Sequence, residues 1–375
     1  GAMPNRSSGP WTGCGRPPYT FTGRAGTPQP YAINAAAIYV EKAENLVVRA
    51  CVLRDSGNGL FIGTSNENLT RDILVESNYI YDNGNAGSAF EHNSYTAALG
   101  IVFQYNRYGP LRAGANGNNL KDRSAGLVVR YNWIESGNRQ LDLVDAEDSS
   151  ILQMEPRYRE TLVYGNVLIE PEGAGNRQIV HYGGDSGTTR QYRQGTLYFY
   201  HNTVVSTRAD RTTLFRLSSP EERCDARNNI FYATAGGRTV SLLDADGVLE
   251  LSRNWMQPGW VASFGQLAGT VNNDGTMMEG AAPRFVDLAG QDFRLAAESE
   301  AINAGGLLPV AVAATGEVER QYVKHQAGEA RPWDGHPDLG AYEYPWPRRP
   351  PRSRAAGRFD PCYLNYARPR APLAR

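Results

Sequence analysis

The sequence predicts an all-β solenoid, in which short strands stack coil upon coil. The first observation is a pattern of three apolar residues, two variable residues and an asparagine, as in Leu127–Asn132, which recurs along the chain. The second is its spacing, because successive copies lie 26 to 36 residues apart and a period of roughly 20–50 residues indicates a solenoid. The third is that the apolar runs are short, are bounded by Asn and Gly, and lack the spacing of helices.

The asparagine column marks one turn in each coil. Asparagine tolerates the left-handed backbone region that a sharp turn between two strands requires. A coil of roughly 26 residues has room for about three short strands, and insertions at one point of the coil account for the steps of 34 and 36 residues. The column comprises Ala50, Asn78, Asn106, Asn132, Asn166, Asn202, Asn228 and Asn254.

This pattern resembles the right-handed parallel β-helix proteins of the pectate-lyase-like superfamily, in which stacked asparagine side chains form a ladder inside the turn. The resemblance covers roughly residues 35–265 and implies a single-stranded right-handed parallel β-helix with a C-terminal capping segment. The expected divisions are a lead-in or cap at residues 1–34, the β-helix at 35–270, the capping segment at 271–344 and an Arg/Pro-rich tail at 345–375.

The C-terminal residues extend the resemblance. The run Asp338–Glu343 resembles part of the C-terminal module of many bacterial secreted members, which implies a cap over the open edge of the last coil. The tail from residue 345 carries eight Arg and one Asp. It is interpreted either as a surface-draped or disordered tail, or as an electrostatic clamp on the acidic body or on a polyanion.

The net charge and the apolar runs argue against a nucleic-acid partner and a membrane span, respectively. A total of 38 Lys and Arg against 39 Asp and Glu gives a net charge of -1, so no nucleic acid is expected as a partner. No apolar run is long enough to predict a membrane span.

Because Gly1–Met3 is typical of the remnant of a cleaved purification tag, the native N-terminus is expected upstream. A monomer that is secreted, periplasmic or at the cell surface is expected.

The four cysteines are too few for a disulfide scaffold and lack the spacing of a metal site. Cys51 and Cys224 lie inside the repeat, where buried thiols are expected. Cys14 and Cys362 lie near the two ends of the chain, and a disulfide between them remains an open alternative.

Stacking predicts a column of ionisable side chains on one face of the solenoid. Parallel strands lie ~4.8 Å apart, so equivalent positions on neighbouring coils become neighbours. His92–Lys121 and Lys121–Asp142 are therefore expected about 5 Å apart. The predicted column comprises Phe61, His92, Lys121, Asp142, His181, Arg216 and Leu242.

Lys121 is the candidate catalytic base. Leu120 is expected to point into the core, so Lys121 should point outward. Removing a proton next to a carboxylate needs a base whose pKa is near the working pH, and nearby Arg123 could lower the lysine pKa and also pair with a substrate carboxylate. An ordinary solvated lysine is the alternative interpretation.

The segment Leu120–Ser124 resembles the catalytic-lysine coil of the chondroitinase B and alginate lyase family. The resemblance implies a lysine base, an arginine one coil later and calcium held by nearby carboxylates. Lys121 matches that pattern. Residues 114–119 contain no acid, however, and the next coil offers Asp142 and Asp145 where the family has Arg-His.

Other side chains complete the candidate site. His92 could act as base or acid with Tyr95 as a second proton donor, or could only hydrogen-bond along the stack. His181 lies two coils beyond Lys121, within reach of a neighbouring sugar. The predicted substrate-binding set comprises Asp142, Asp145, His181 and Arg216.

An acidic cluster follows, formed by Asp142, Asp145, Glu147 and Asp148. It could be a solvated turn, a calcium site of six to eight oxygens or a carboxylate pair for glycoside hydrolysis. The sequence requires no cofactor, and calcium remains an open alternative.

The leading hypothesis is a polysaccharide lyase that cleaves a uronate-containing polysaccharide by β-elimination. Nucleotide-binding, zinc-protease and serine-nucleophile motifs are absent from the sequence. The alternatives are a non-catalytic glycan-binding or surface-structural β-helix, and a glycoside hydrolase or epimerase on the same fold.

Overall fold

The computed structural model is a parallel β-helix, which confirms the predicted fold class. It describes residues 12–13, 20–345 and 363–366, with side chains described over residues 20–345. Within these residues three long sheets contain ten, eight and ten strands, and each coil adds one strand to each sheet. All neighbours in these sheets are parallel except the strand at residues 363–366, which pairs antiparallel with Leu46–Arg49.

The strands of the three sheets follow one another in chain order around each coil. Sheet 1 comprises Thr12–Gly13, Val52–Leu53, Tyr79–Ile80, Arg107–Tyr108, Trp133–Glu135, Val167–Glu170, Thr203–Ser206, Ile230–Ala233, Trp255–Met256 and Met278–Glu279. Sheet 2 comprises Ala36–Glu41, Asn58–Gly63, Ser94–Thr96, Leu120–Asp122, Leu141–Leu143, Gln178–Tyr182, Thr212–Leu217 and Val240–Ala245. Sheet 3 comprises Leu46–Arg49, Arg71–Glu76, Leu99–Gln104, Ala125–Arg130, Glu160–Tyr164, Thr196–Tyr200, Arg223–Arg227, Val248–Ser252, Thr270–Asn273 and Tyr363–Tyr366.

The remaining elements are short. The hairpins pair Thr20–Thr22 with Pro28–Pro30, Phe285–Asp287 with Asp292–Leu295, and Arg320–Val323 with Ala327–Ala330. The helical turns are Ser150–Met154, Pro156–Arg159, Thr189–Gln191, Gly237–Thr239 and Val310–Ala313. Among the described helices, none is long and apolar enough to cross a membrane.

A ladder of buried asparagines joins the coils. The side-chain oxygen of Asn132 accepts the backbone N–H and the side-chain N–H of Asn106, at 2.9 and 3.0 Å. Asn166 does the same for Asn132, at 2.9 and 3.0 Å. Because each amide bonds to both coils beside it, the ladder fixes the register of the stack. Its members are Asn78, Asn106, Asn132, Asn166, Asn202, Asn229 and Asn254.

The structure corrects two positions of the predicted column. Asn229, not Asn228, enters the ladder, and Cys51, not Ala50, occupies the first ladder position by donating its backbone N–H to Asn78 at 2.9 Å. The left-handed residue is the one before each ladder position, with φ of 55° at Ala50 and 58° at Asn228. Asn228 therefore makes the turn, while its neighbour makes the inter-coil hydrogen bonds.

The cysteines inside the repeat differ from each other. Cys224 is a buried free thiol, as predicted. Cys51 is disulfide-bonded, so the prediction of a buried thiol is wrong there. Cys14 and Cys362 lie outside the described residues.

The C-terminal segment covers the outer face of sheet 1. Phe293 and Tyr322 stack on Trp133 with ring centroids 5.5 and 6.0 Å apart, and Leu339 packs with Ile230 further along the same sheet. These contacts bury outward-facing apolar residues of sheet 1, whereas the outward face of sheet 2 keeps its polar column.

The ladder makes a prediction about stability. Asn132→Ala removes the acceptor for two N–H groups of Asn106 and should cost about 1–3 kcal/mol for each buried group left unpaired. Urea unfolding followed by circular dichroism measures the loss.

The matched control is Asn272→Ala, which removes an exposed amide that donates to Glu250. Its free energy of unfolding should stay within about 0.5 kcal/mol of the parent. Equal losses in the two variants would contradict the role given to the ladder.

Candidate functional site

The ionisable column lies on the outer face of sheet 2. The register pairs Lys121 with Asp142, Asp142 with His181, and His181 with Arg216, as predicted. Tyr95, not His92, pairs with Lys121, and Asp244, not Leu242, pairs with Arg216. The full column is Tyr39, Phe61, Tyr95, Lys121, Asp142, His181, Arg216 and Asp244.

Lys121 points away from the core but is not solvated. Leu120, its neighbour in the strand, is fully buried in the core, whereas Lys121 is 8% exposed beneath a loop. Its ammonium group donates to Asp142 Oδ2 at 3.0 Å and to Asp185 Oδ2. Burial alone would lower the pKa of Lys121, but these two carboxylates outweigh it and raise the pKa. The predicted lowering of the lysine pKa is therefore wrong, and Lys121 is a fixed cation in this arrangement.

Arg123 is a second fixed cation beside Tyr95. Its Nε donates to the Tyr95 hydroxyl at 2.9 Å. One terminal nitrogen lies 3.0 Å from Glu147 Oε1 and 3.1 Å from Asp185 Oδ1, and the other donates to the Asp145 carbonyl. Burial would lower the pKa of Arg123, but Tyr95 and the carboxylates raise it. The guanidinium therefore stays charged.

Asp185 bridges the two cations. Its two carboxylate oxygens contact Lys121 and Arg123, one each, and its side chain is 32% exposed. It belongs to the loop at residues 183–187, where Gly183 and Gly187 have φ of 129° and 81°. The repeat pattern does not identify Asp185, because its loop lies outside the repeated strands. The sequence signal for it is a charged residue close to two glycines.

Asp145 holds this loop in place. Its carboxylate accepts the backbone N–H of Asp185 at 2.8 Å and is fully buried. Glu147 pairs with Arg123, and Asp148 lines a cavity that Arg123 also lines. The acidic side chains therefore contact different groups. Among the described residues, no group of three or more His, Cys, Asp or Glu is arranged to hold a metal ion.

His92 lies close to the column without belonging to its register. Its Nδ1 accepts the backbone N–H of Asn118 at 2.8 Å, and its ring meets Tyr95 edge to face with centroids 5.5 Å apart. Burial, reinforced by the charge of Lys121, lowers the pKa of His92 to about 3. The ring is therefore neutral near pH 7.

Asp142, His181 and Ser218 form a hydrogen-bonded chain. Asp142 Oδ1 lies 2.8 Å from His181 Nδ1, and His181 Nε2 lies 2.8 Å from Ser218 Oγ. Burial would raise the pKa of Asp142, but the bond to His181 and the charge of Lys121 lower it. Asn118 donates to the other oxygen of Asp142 at 2.8 Å. Ser218 was not among the predicted site residues, because it lies beyond the end of its strand.

Two cavities flank the bridge made by Asp185. One, of about 290 Å³, is lined by Phe61, Tyr95 and Arg123 among others. The second, of about 370 Å³, is lined by His181 and Ser218 together with polar and charged neighbours. Asp185 lines the second, polar cavity, and its partner Arg123 lines the first.

Comparison with known proteins gives no matching family model, no matching curated protein and no matching solved structure. The function must be argued from the geometry of the site.

The buried histidine makes a prediction about pH. The pKa of His92 falls from 6.5 in an ordinary environment to about 3, so between these values the unfolded chain binds a proton that the native state does not. This contribution makes the native state more stable as pH rises through that window, by about 1.4 kcal/mol per pH unit. His92→Gln keeps an acceptor for Asn118 but cannot titrate, so its unfolding free energy should depend less on pH.

Urea unfolding at about pH 4 and about pH 7 compares the slopes. The control is His336→Gln, which replaces an exposed histidine and should keep the parental slope. An unchanged slope in His92→Gln would contradict the neutral assignment.

Proposed function

We propose that the protein binds a carboxylated glycan along the outer face of sheet 2 and cleaves it by β-elimination. The observation that carries the proposal is the Asp185 carboxylate, held by Lys121 and Arg123 next to the Tyr95 hydroxyl. This is the arrangement that a uronate carboxylate requires, and charge-assisted bonds to two cations favour such binding. In the proposal a substrate carboxylate takes the place of Asp185.

Aromatic rings support an extended binding track. Tyr39 stacks on Phe61 with centroids 4.9 Å apart, and Phe61 meets Tyr95 edge to face at 5.5 Å. Tyr39 is 60% exposed. Exposed aromatic faces offer stacking surfaces for the apolar faces of sugar rings, so the track would continue from the cations toward the N-terminal coils.

The proposed roles differ from the initial hypothesis at Lys121. Lys121 and Arg123 bind the carboxylate and stabilise the negative charge that develops on it. Tyr95, whose oxygen accepts the Arg123 Nε–H at 2.9 Å, takes the proton from the carbon next to the carboxylate. A carbon–carbon double bond forms as the glycosidic C–O bond breaks, and the Tyr95 hydroxyl returns a proton to the departing sugar oxygen.

The parallel β-helix and the asparagine ladder support a relationship to the pectate-lyase-like superfamily as part of the same proposal. A polymeric glycan is an extracellular material, so a secreted, periplasmic or cell-surface location accompanies it. The fold alone does not select the reaction.

Binding without turnover is the second candidate. It is favoured by the pairing of Lys121, Arg123 and Arg139 with carboxylates, because these fixed charges can hold an anionic ligand without any proton transfer. In this candidate the cluster recognises a glycan and does not cleave it.

The β-elimination test uses a panel of polyuronates and follows the ultraviolet absorbance of the unsaturated product. The parent protein should release this product, and Tyr95→Phe should lose at least about 100-fold in kcat, because proton transfer contributes roughly that much. Binding by Tyr95→Phe, measured by calorimetry, should persist.

The control is Tyr79→Phe, which removes another phenol packed against an arginine, Arg107 at 4.4 Å, on sheet 1. It should retain parental turnover. Binding without unsaturated product from any polyuronate would favour the second candidate, and full activity in Tyr95→Phe would refute the assigned role.

The bridge made by Asp185 gives a separate prediction. Asp185→Asn should tighten polyuronate binding about 5- to 10-fold, because a competing carboxylate is removed while both cations remain; tenfold corresponds to about 1.4 kcal/mol.

Calorimetric titration at constant ionic strength measures this change. Asp287→Asn removes the same charge at an exposed position in the C-terminal segment and should leave affinity unchanged. Weaker binding in Asp185→Asn would contradict the displacement of Asp185 by substrate.

A further inference from the structure

Ser218, His181 and Asp142 are arranged, in that order, like a nucleophile, a base and a group that orients the base. Both hydrogen bonds measure 2.8 Å. Asp142 and His181 are register partners in sheet 2, and Ser218 directly follows the next strand of that sheet. The three side chains therefore come from three successive coils.

The hydrogen-bonding roles of the three side chains fit this arrangement. The carboxylate of Asp142 is held ionised by Lys121 and His181 and can only accept hydrogen bonds. His181 must then carry a proton on Nδ1, and its Nε2 faces the Ser218 hydroxyl at 2.8 Å. Two backbone carbonyls also lie near that hydroxyl, Gly184 at 3.0 Å and Tyr182 at 3.3 Å, but His181 is nearer.

Ser218 is open to a cavity. Its residue is partly exposed and lines the polar cavity of about 370 Å³ together with His181. Its Oγ accepts the Gly184 N–H at 3.1 Å, which holds the oxygen in place. A serine whose only role is to hydrogen-bond neighbouring coils would not need to line a cavity.

The cavity is lined by two arginines and two aspartates, the latter being Asp142 and Asp185. Arg139 and Arg216 line it; Arg139 lies 3.5 Å from Asp142, and Arg216 lies 3.1 Å from Asp244. Their guanidinium groups suit a substrate with an anionic group and can stabilise an oxyanion.

We propose that Ser218 is the nucleophile of a second activity, the hydrolysis of acyl esters on anionic substrates, with His181 as base and Asp142 as the group that orients it. This inference does not depend on the β-elimination proposed above. It places an ester-cleaving site beside the carboxylate-binding cations, on the other side of Asp185.

The reaction balances with water as the co-reactant. Ser218 Oγ forms a bond to the ester carbonyl carbon while its proton passes to His181 Nε2. The ester C–O bond then breaks, and the leaving alcohol takes that proton, which leaves an acyl-serine. Water adds to the acyl carbon and gives a proton to His181. The bond between the acyl carbon and Ser218 Oγ breaks, the carboxylic acid is released, and His181 returns the proton to Ser218 Oγ.

The test uses a fluorophosphonate probe on the full chain, with peptide mass spectrometry to locate the adduct. The adduct should form on Ser218, and its rate should fall at least about 100-fold in His181→Asn because the base is lost. Release of acetate from an O-acetylated polyuronate should fall in parallel.

The matched control is Ser186→Ala, which removes a hydroxyl that accepts the Thr188 N–H in the neighbouring loop and should react at the parental rate. Circular dichroism and thermal melting verify that each variant is folded. No adduct on Ser218 in the folded parent, or equal labelling of His181→Asn, would overturn the proposal. Unsaturated product is scored separately, so the two activities succeed or fail independently.

Discussion

The register between coils is the constraint on which the rest of the structure depends. A ladder amide bonds both to the coil before it and to the coil after it, as Asn132 does with Asn106 and Asn166. A slip of one residue would leave these buried groups unpaired and turn every outward side chain inward. With the register fixed, positions separated by 21 or more residues become neighbours, and this is how Lys121 meets Asp142.

Burial of charge then determines the chemistry of the column. A buried cation is stable only when it is paired, and Lys121 and Arg123 are paired several times over. The same pairing that stabilises Lys121 prevents it from acting as a base, since its proton is held. Asp185 contacts both cations, lies on a glycine-containing loop and is partly exposed. It is therefore the carboxylate that a ligand can most readily replace.

The sequence predicted what is periodic and missed what is not. The fold and five of the column positions, namely Phe61, Lys121, Asp142, His181 and Arg216, follow from a repeated local pattern. At Arg227-Asn228-Asn229, however, two adjacent asparagines offered no local sign of which one enters the ladder. His92 precedes its strand, which begins at Ser94, so Tyr95 occupies the column position predicted for His92. Asp185 and Ser218 lie in loops, where contacts over a sequence separation of 64 residues, as between Asp185 and Lys121, leave no periodic signal.

The central claim is that the two cations of sheet 2 form a carboxylate site now occupied by the chain itself. A crystal structure of the inactive Tyr95→Phe variant with a uronate oligosaccharide tests it most directly. The account predicts a sugar carboxylate between Lys121 and Arg123, sugar rings on the aromatic residues, and Asp185 turned away. An oligosaccharide bound elsewhere, with Asp185 still bridging both cations, would contradict it.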